Sequence, residues 1–412
     1  MSAPASQRNL LRWLGPLLLL GTSLAVALGL AEIALRVGGF SNPLLFEEDA
    51  LTGAWHRPGA EGVYRDEGES LVRINAEGMR DRDHARQKPA GVFRIAVLGD
   101  SYTEALQVPL ESNFVSVLEH GLAACPALGG LRPEALNFGV SGFGTAQALL
   151  TLRHRALAYQ PDLVVLAFVS NDLRNNSKAL ERDPARPYFR LEGGELVLDD
   201  SFLAGEPHKQ SRYWLRRAWR RLNDHSRAAQ LVNAARAGLR RRELARTEVR
   251  ELVYAAPREP VWEETWQVTE ALVAAVARES VAAGARFLLA VITTPTQVDP
   301  DRERRSQLLE ENGGDDLGYF NQRLVALAGR EGFPALSLAE PLLRHAEASG
   351  RCLHGFENAI PCRGHWNEEG HRLAGELIAR EACERLAGSA RQAPADASGQ
   401  APRAAAEVVD ER

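Results

Sequence analysis

Hydrophobic positions follow two alternating patterns through most of the chain. Five short runs are continuously apolar and rich in leucine and β-branched residues, and they cover 93–100, 135–140, 162–169, 286–292 and 334–338. Segments with apolar residues at helical spacing lie between or after these runs, at 113–124, 144–159, 266–284 and 368–387. Continuous apolar strands that alternate with helices indicate a parallel sheet covered on both faces. The sequence therefore predicts a three-layer α/β/α domain with a mostly parallel, five-stranded, doubly wound sheet.

A longer apolar run lies near the N-terminus. It extends from Trp13 to Ala31 without a charged residue. A helix of this length spans about 28 Å at ~1.5 Å per residue, close to the ~30 Å hydrocarbon core of a bilayer. Arg8 and Arg12 precede the run, which favours a cytoplasmic N-terminus and a domain outside the cytoplasm. We predict an uncleaved transmembrane anchor, and the alternative is a signal peptide cleaved near residues 25–27.

Changes in composition divide the chain into segments. The predicted segments are a cytoplasmic N-terminus at 1–12, the anchor at 13–31, a turn-rich juxtamembrane segment at 32–90, the α/β domain at 91–388 and a tail at 389–412. The tail is rich in Ala, Pro and Ser, which predicts disorder. The domain also contains a long insertion, at about 173–265, between its third and fourth strands.

Within the insertion, residues 212–244 are rich in arginine. Leu215, Trp219 and Leu222 recur there at helical spacing, and the polar stretch 223–226 offers a break between two helices. One interpretation is a helical hairpin on the protein surface. The other is a basic lid that meets anionic lipid headgroups or an acidic polymer.

Composition narrows the class of protein. The 412 residues carry a net charge of −5 and 45% hydrophobic residues, so the chain can form a full core and lacks the basic excess that would indicate a nucleic-acid partner. Outside the cytoplasm, the ten-residue step between Cys352 and Cys362 suits a loop disulfide. Cys125 and Cys383 lie in helical segments, where they either form a second disulfide or remain buried thiols.

Polar and glycine-rich clusters follow four of the predicted strands. They are GDSYT (99–103), VSGFG (140–144), VSND (169–172) and GHWNEEGH (364–371). Ligands of a parallel α/β sheet bind beyond the carboxyl ends of its strands, where these clusters would converge. The sequence therefore predicts a functional site at this edge of the sheet.

The residue types in these clusters suit acyl-transfer chemistry. Ser101, on a tight strand-to-helix turn, can act as a nucleophile if a base takes its proton. A histidine of the last cluster, His365 or His371, can be that base. The backbone N–H groups of Ser101 and Gly142 and the amide of Asn171 can stabilise an oxyanion, and glycine allows the backbone to approach the substrate closely.

Taken together, the four clusters resemble the motif blocks of the SGNH (GDSL-type) hydrolase superfamily over roughly residues 70–388. The Gly-Asp-Ser of the first block, Gly142, Asn171 and the His-Trp-Asn of the last block match in order. The resemblance implies a flavodoxin-like fold, Ser101 as the nucleophile, an oxyanion hole formed by Ser101, Gly142 and Asn171, and no cofactor. It favours His365 as the base, because His371 matches a position that is more often structural.

The resemblance also implies serine-dependent hydrolysis of ester bonds. Because exported bacterial members often carry one N-terminal membrane helix, we expect an anchor in the inner membrane and a catalytic domain in the periplasm. The expected substrate is then an acyl ester, such as an O-acylated envelope glycan. Acyl transfer to a polysaccharide would use the same residues and stays an alternative.

One departure from the superfamily pattern concerns the acid that orients the histidine. Members usually carry an aspartate two or three residues before the catalytic histidine, where this chain has Arg363 and Cys362. Glu357 and Glu368 are the local candidates for the orienting carboxylate. Without such an acid, the chain would be a slow esterase or a non-catalytic protein that binds a glycan or a partner.

A zinc site is a further alternative for the last cluster. The candidate ligands are Cys352, Cys362, His345, His354, His365 and His371. His365 and His371 have a His-x5-His spacing, but Cys352 and Cys362 lack the usual Cys-x2–4-Cys spacing and favour a disulfide outside the cytoplasm. We therefore expect no metal.

Overall fold

The computed structural model describes residues 5–205, 213–245, 253–311 and 313–392. Its strands are β1 (Phe46–Asp49), β2 (Gly53–His56), β3 (Glu61–Tyr64), β4 (Ser70–Arg73), β5 (Val92–Gly99), β6 (Arg132–Gly139), β7 (Leu163–Phe168), β8 (Tyr188–Glu192), β9 (Glu195–Asp199), β10 (Arg286–Val291) and β11 (Ala335–Ser337). Its α-helices are α1 (Ala5–Val37), α2 (Ser101–Glu104), α3 (Phe114–Ala123), α4 (Thr145–His154), α5 (Asn171–Asn175), α6 (Lys178–Glu181), α7 (Tyr213–His225), α8 (Arg227–Ala245), α9 (Pro260–Ala282), α10 (Arg302–Glu311), α11 (Tyr319–Glu331), α12 (Ala339–Ser349) and α13 (Glu368–Gln392).

Five strands form one parallel sheet in the order β11-β10-β7-β5-β6. Strand β5 pairs with β6 along its whole length, up to Gly99 opposite Gly139, so both strands end at the same edge. The next strand along the chain, β7, pairs with the other side of β5. This reversal of strand order creates a crevice at the carboxyl ends, as in flavodoxin-like folds. The predicted α/β fold with a five-stranded parallel sheet is confirmed.

Helices cover both faces of the sheet, and every residue of β5 and β7 is buried. On one face, α4, α9 and α11 contribute Leu149, Leu272 and Leu324 to the core. On the other face, α3 and α13 contribute Leu118 and Ile378. Full burial of one such side chain stabilises a fold by ~1.5–3 kcal/mol, so the apolar faces of these helices fix the layers.

The juxtamembrane segment is more ordered than its composition suggests. It forms two antiparallel hairpins, β1–β2 and β3–β4. Trp55, on β2, is 6% exposed, because its ring packs 6.1 Å from that of Phe143 and the Arg155 guanidinium lies 4.0 Å above it. These strands have four residues each, which is too short for a clear alternating pattern in the sequence.

Helix α1 contains one stretch, Gly15–Val37, that is long and apolar enough to cross a membrane. The most apolar part of this stretch is not buried in the protein. A signal sequence would share these properties, so the structure is compatible with both the anchor and the signal peptide.

The insertion lies between β7 and β10 and contains the helix pair α7 and α8, where the sequence predicts a helical hairpin. It also contains the antiparallel pair β8–β9. At the other end of the domain, α13 extends to Gln392, so the first residues of the predicted tail are helical. The rest of the predicted disordered tail, 393–412, lies outside the described residues.

Two disulfides connect the four cysteines. Cys352–Cys362 closes the loop before His365, which confirms the predicted loop disulfide. Cys125–Cys383 links the end of α3 to α13 across a sequence separation of 258 residues. The second pair of cysteines therefore forms a disulfide and not two buried thiols.

We expect removal of the long-range disulfide to destabilise the fold more than removal of the short one. In the loop-entropy model, the Cys125→Ala/Cys383→Ala variant loses about 5 kcal/mol of unfolding free energy, because this bond closes the longer loop. The Cys352→Ala/Cys362→Ala variant is the matched control, with a separation of 10 residues. Urea unfolding of the full chain in detergent, followed by circular dichroism, measures the unfolding free energy of both variants. Equal losses would contradict this prediction.

Candidate active site

Ser101 begins the short helix α2 directly after β5. Asp100 caps this helix, because its Oδ1 accepts a hydrogen bond of 3.0 Å from the Tyr102 backbone N–H. Glycine is required at the ends of both neighbouring strands. A Cβ at Gly99 would clash with the Thr103 side chain, and one at Gly139 would clash with the backbone of α2. The close approach of α2 to the sheet leaves the Ser101 side chain half-buried at the crevice.

His365 lies next to Ser101, as the sequence predicts. Its Nε2 is 2.8 Å from Ser101 Oγ. The Tyr102 ring packs against the imidazole with a centroid distance of 5.0 Å, and the Tyr102 hydroxyl donates to Gly364 O at 3.2 Å. These contacts hold the histidine-bearing loop over the nucleophile position.

A carboxylate that the sequence analysis missed binds the other side of His365. Glu67 Oε2 is 2.6 Å from His365 Nδ1, and Glu67 Oε1 accepts a hydrogen bond of 2.7 Å from the His365 backbone N–H. Glu67 lies between β3 and β4 in the juxtamembrane segment, 298 residues before the histidine. Gly364 leaves room for the carboxylate, since a Cβ there would clash with Glu67 Oε1.

The prediction that Glu357 or Glu368 orients His365 is therefore wrong. Both residues are exposed, and the Nδ1 position is taken by Glu67. Arg363, where the superfamily pattern places an acid, is also exposed. The sequence around His365 gives no sign of this contact, because the carboxylate comes from a distant hairpin with no motif of its own.

Glu67 and His365 change each other's pKa. Burial alone would lower the pKa of His365, but the hydrogen bond and charge of Glu67 outweigh burial, so the pKa is raised. Burial alone would raise the pKa of Glu67, but the hydrogen bond and charge of His365 lower it. The pair therefore favours an ionised Glu67, which fixes the proton of His365 on Nδ1 and leaves Nε2 facing Ser101 when the ring is neutral.

The loop closed by the Cys352–Cys362 disulfide holds the segment that carries Glu67. Asn358, inside this loop, accepts a hydrogen bond of 2.8 Å from the Gly68 backbone N–H. Its side-chain amide donates to Gly68 O at 2.9 Å and to Arg65 O at 3.2 Å. Asn358 thus fixes the backbone on both sides of Glu67.

The candidate oxyanion residues surround α2. Asn171, at the start of α5, donates from Nδ2 to Asp100 Oδ2 at 2.9 Å, and the same oxygen lies 3.5 Å from Ser101 Oγ. Burial raises the pKa of Asp100. Gly142 is exposed and has φ +79, a left-handed conformation that favours glycine.

A buried network holds the loop that contains Gly142. The backbone N–H of Ser141 donates to Glu104 Oε2 at 2.9 Å, and the Ser141 hydroxyl contacts the same oxygen. Glu104 Oε1 is 2.5 Å from Nε2 of His56, whose Nδ1 lies 3.2 Å from Gly78 O. The juxtamembrane segment therefore reaches the candidate oxyanion loop through His56, a contact that no local sequence signal indicates.

The other histidines of the last cluster have structural surroundings. His371 is buried, and its Nδ1 accepts a hydrogen bond of 3.3 Å from the Phe114 backbone N–H. His354 is also buried, with Nδ1 2.9 Å from Gly364 O. Burial lowers the pKa of each to about 3, which keeps both rings neutral.

The zinc alternative loses its thiolate ligands, because Cys352 and Cys362 are bonded to each other. Within the part of the chain that the structure describes, His, Cys, Asp and Glu side chains form no group of three or more that could hold a metal ion.

Comparison with known proteins gives the class. Residues 97–373, more than half of the chain, match the model of the GDSL-like lipase/acylhydrolase family. The fold and this match define a hydrolase of the SGNH superfamily. The chain belongs to the GDSL-like lipase/acylhydrolase family, and the resemblance seen in the sequence is confirmed. None of the curated proteins compared with the chain matches it.

Several solved structures are similar to this chain at low sequence identity. A GDSL-like lipase from Bacteroides thetaiotaomicron VPI-5482 is 14% identical and covers 71% of this chain and 88% of its own, with a TM-score of 0.32. The acetyl xylan esterase AlAXEase is 14% identical, with 70% and 99% covered and a TM-score of 0.37. A catalytic mutant of an acetylxylan esterase from Geobacillus stearothermophilus is 11% identical, with 72% and 94% covered and a TM-score of 0.34.

We expect Glu67→Gln to lower the activity and to shift its pH dependence. The loss of kcat is as much as about 10⁴-fold, the effect of removing the acid of a serine protease triad. Because Glu67 raises the pKa of His365, its removal lowers that pKa, so the residual kcat/KM falls off at a lower pH on the acidic side. Rates on p-nitrophenyl acetate across pH measure both effects.

Two substitutions serve as controls for this experiment. Glu69→Gln changes an exposed carboxylate of the same loop, and Glu368→Gln changes the nearest acid in sequence to His365. Both variants keep the wild-type rate and pH profile. An unchanged profile for Glu67→Gln, or a comparable loss for Glu368→Gln, would contradict the assignment of Glu67.

Asn358→Ala tests whether the hydrogen bonds of Asn358 hold the loop that carries Glu67 in place. We expect kcat to fall on the order of tenfold to a hundredfold, because a small displacement of a positioning group is costly. The acidic side of the pH profile then shifts toward that of Glu67→Gln, which a purely structural defect would not cause. Glu357→Ala, at the neighbouring exposed position, is the matched control. A normal pH profile for Asn358→Ala would assign Asn358 a role in stability alone.

Proposed function

We propose that the protein is a serine esterase or deacylase in which Ser101 is the nucleophile, His365 the base and Glu67 the orienting acid. The observation that carries this proposal is the continuous hydrogen-bonded line from Ser101 Oγ through both nitrogens of His365 to the Glu67 carboxylate. An enzyme of this kind needs each of the three groups, and their order matches the roles of a catalytic triad.

In the proposed first step, His365 Nε2 takes the proton of Ser101 while Ser101 Oγ bonds to the ester carbonyl carbon. The negative charge moves to the carbonyl oxygen, which accepts hydrogen bonds from the backbone N–H groups of Ser101 and Gly142 and from the Asn171 amide. Glu67 stabilises the imidazolium that forms. His365 then returns the proton to the leaving alcohol, which departs and leaves an acyl group on Ser101.

In the second step, water attacks the acyl-serine and His365 takes its proton, which releases the carboxylic acid and restores Ser101. A sugar hydroxyl in place of water would turn the same cycle into an O-acyltransferase reaction. The alternative of a non-catalytic binding protein was motivated by the absence of an acid before His365. Because the Glu67 carboxylate lies at His365 Nδ1, the absence of an acid before His365 no longer supports that alternative.

The proposed location is the outer face of the bacterial inner membrane, with α1 as the anchor and the domain in the periplasm. The length and apolar character of α1 support this location, as do Arg8 and Arg12, which precede its apolar run. From that position an ester on an envelope glycan is within reach, so we propose an O-acylated polysaccharide as the substrate class.

Activity of the full chain in detergent tests the proposed chemistry. We expect Ser101→Ala and His365→Ala each to lower kcat on p-nitrophenyl acetate by at least about 10³-fold, because each removes a group that acts in the transition state. A fluorophosphonate probe labels the wild type at Ser101 and does not label Ser101→Ala. Equal rates for the wild type, Ser101→Ala and His365→Ala would contradict the proposal that the protein is an esterase. Mass spectrometry of acetylated polysaccharide incubated with the protein then distinguishes released acid from a newly acylated sugar.

A further inference from the structure

The end of α1 is bonded to the junction between α7 and α8. The uncharged part of α1 ends at Glu32, whose carboxylate accepts from the backbone N–H groups of Arg227 and Ala228 at 2.9 and 3.1 Å. The Ser226 hydroxyl donates to it at 3.0 Å. Arg36, one turn later, donates to His225 O at 2.8 Å. The two helices of the insertion therefore meet where the apolar run stops.

The same helices are also bound to the juxtamembrane segment. Arg57, just after β2, donates two hydrogen bonds of 2.8 Å to Asp224 at the end of α7. Arg220 donates to Glu47 at 3.0 Å and pairs with Glu48 on β1. The exit of α1, the α7–α8 pair and the first β-hairpin are thus connected by charged and backbone hydrogen bonds.

The outer face of α7 is apolar and exposed. Trp214, Leu215 and Leu222 are 67%, 47% and 52% exposed, although residues of this size are usually buried. At 100° per residue they lie on one arc of about 100°, and Asn223, which is opposite Trp214 on the helix, is fully buried. The Trp214 side of this face is therefore directed away from the domain, while Leu215, at the edge of the arc, also lines the groove between α7 and the β1–β2 hairpin.

Positive charge borders this apolar face. Arg217 and Arg221 are exposed on the helix surface beside Trp214. Among the described residues near α7, the carboxylates of Glu47, Glu48 and Asp224 pair with Arg220 and Arg57. An apolar arc flanked by arginines is typical of a helix that lies in the interface between lipid headgroups and acyl chains.

We propose that α7 binds the surface of an anionic membrane, with Trp214, Leu215 and Leu222 toward the acyl chains and two arginines on the lipid phosphates. The inference rests on the proposed membrane anchoring by α1, whose apolar run ends at the α7–α8 junction. A lipid surface fits better than a soluble acidic polymer, because only the lipid can take up three large apolar side chains.

Binding of α7 to the membrane would also fix the orientation of the candidate active site relative to the membrane. Arg65, in the loop that carries Glu67, donates to Gly39 O at 2.8 Å, two residues after the end of α1. The loop that carries the acid of the proposed triad is therefore bonded to the chain just after α1. With α7 as a second contact, the domain would be held on the membrane surface in one orientation.

Depth-dependent fluorescence quenching of the full chain tests this inference. The protein is reconstituted into phosphatidylcholine vesicles, with and without added phosphatidylglycerol, that contain a doxyl-labelled lipid with its quencher near the headgroups. We expect Trp214→Phe to lose a quenchable part of the tryptophan emission. Trp219→Phe, on the same helix but half-buried, is the matched control and leaves the quenched amplitude unchanged. Arg217→Gln/Arg221→Gln abolishes the extra quenching that phosphatidylglycerol causes.

Several outcomes would overturn the inference. If the chain floats with the vesicles on a density gradient but Trp214→Phe quenches like the wild type, α7 does not bind the membrane, while the anchor and the esterase proposal stand. If the chain does not float, both the anchor and this inference fail. If Trp214 emission responds to soluble polyglutamate and not to the quencher lipid, the face binds an acidic polymer. Esterase activity in detergent stays unchanged in Trp214→Phe, which shows that the variant is folded.

Discussion

The contact between Glu67 and His365 is the interaction on which the candidate active site depends. Both carboxylate oxygens are used, one on the imidazole and one on the backbone N–H of the same residue. The contact therefore fixes the ring, its tautomer and the course of the loop together. Removal of one partner would leave the other partly buried without compensation, and this costs more than the pair contributes when intact.

Several features of the fold position Glu67 against His365. The Cys352–Cys362 disulfide limits the freedom of the loop that contains Asn358, and Asn358 in turn holds the backbone around Glu67. Gly364 provides the space for the carboxylate. The disulfide thus acts on the candidate site through the Glu67 loop and not by touching the histidine. The juxtamembrane segment is therefore packed against the domain through Glu67.

The sequence predicts what depends on local pattern and misses what depends on distant pairing. The five parallel strands follow from continuous apolar runs, and the clusters that contain Ser101 and His365 follow from the rule that sites lie at strand ends. The superfamily resemblance then favours His365 over His371. Glu67 does not, because its partner is 298 residues away and its flanking strands have four residues each. The buried pair of His56 and Glu104 is hidden for the same reason. From the sequence alone, His56 resembles an exposed turn residue and Glu104 a charge at a helix end. The two meet only because the β1–β2 hairpin packs on α2.

The position of the acid changes how the N-terminal region and the chemistry are related. In the superfamily pattern, the acid and the histidine share one loop, so their distance is set locally. Here the proposed acid, Glu67, lies in a hairpin loop whose Arg65 is bonded to Gly39, just after α1, and to Asn358 on the histidine-bearing side of the domain. The geometry of the proposed triad then depends on the packing of the juxtamembrane segment against the domain. A change that loosens this packing would lower activity without touching Ser101 or His365, because it would move the carboxylate away from the imidazole.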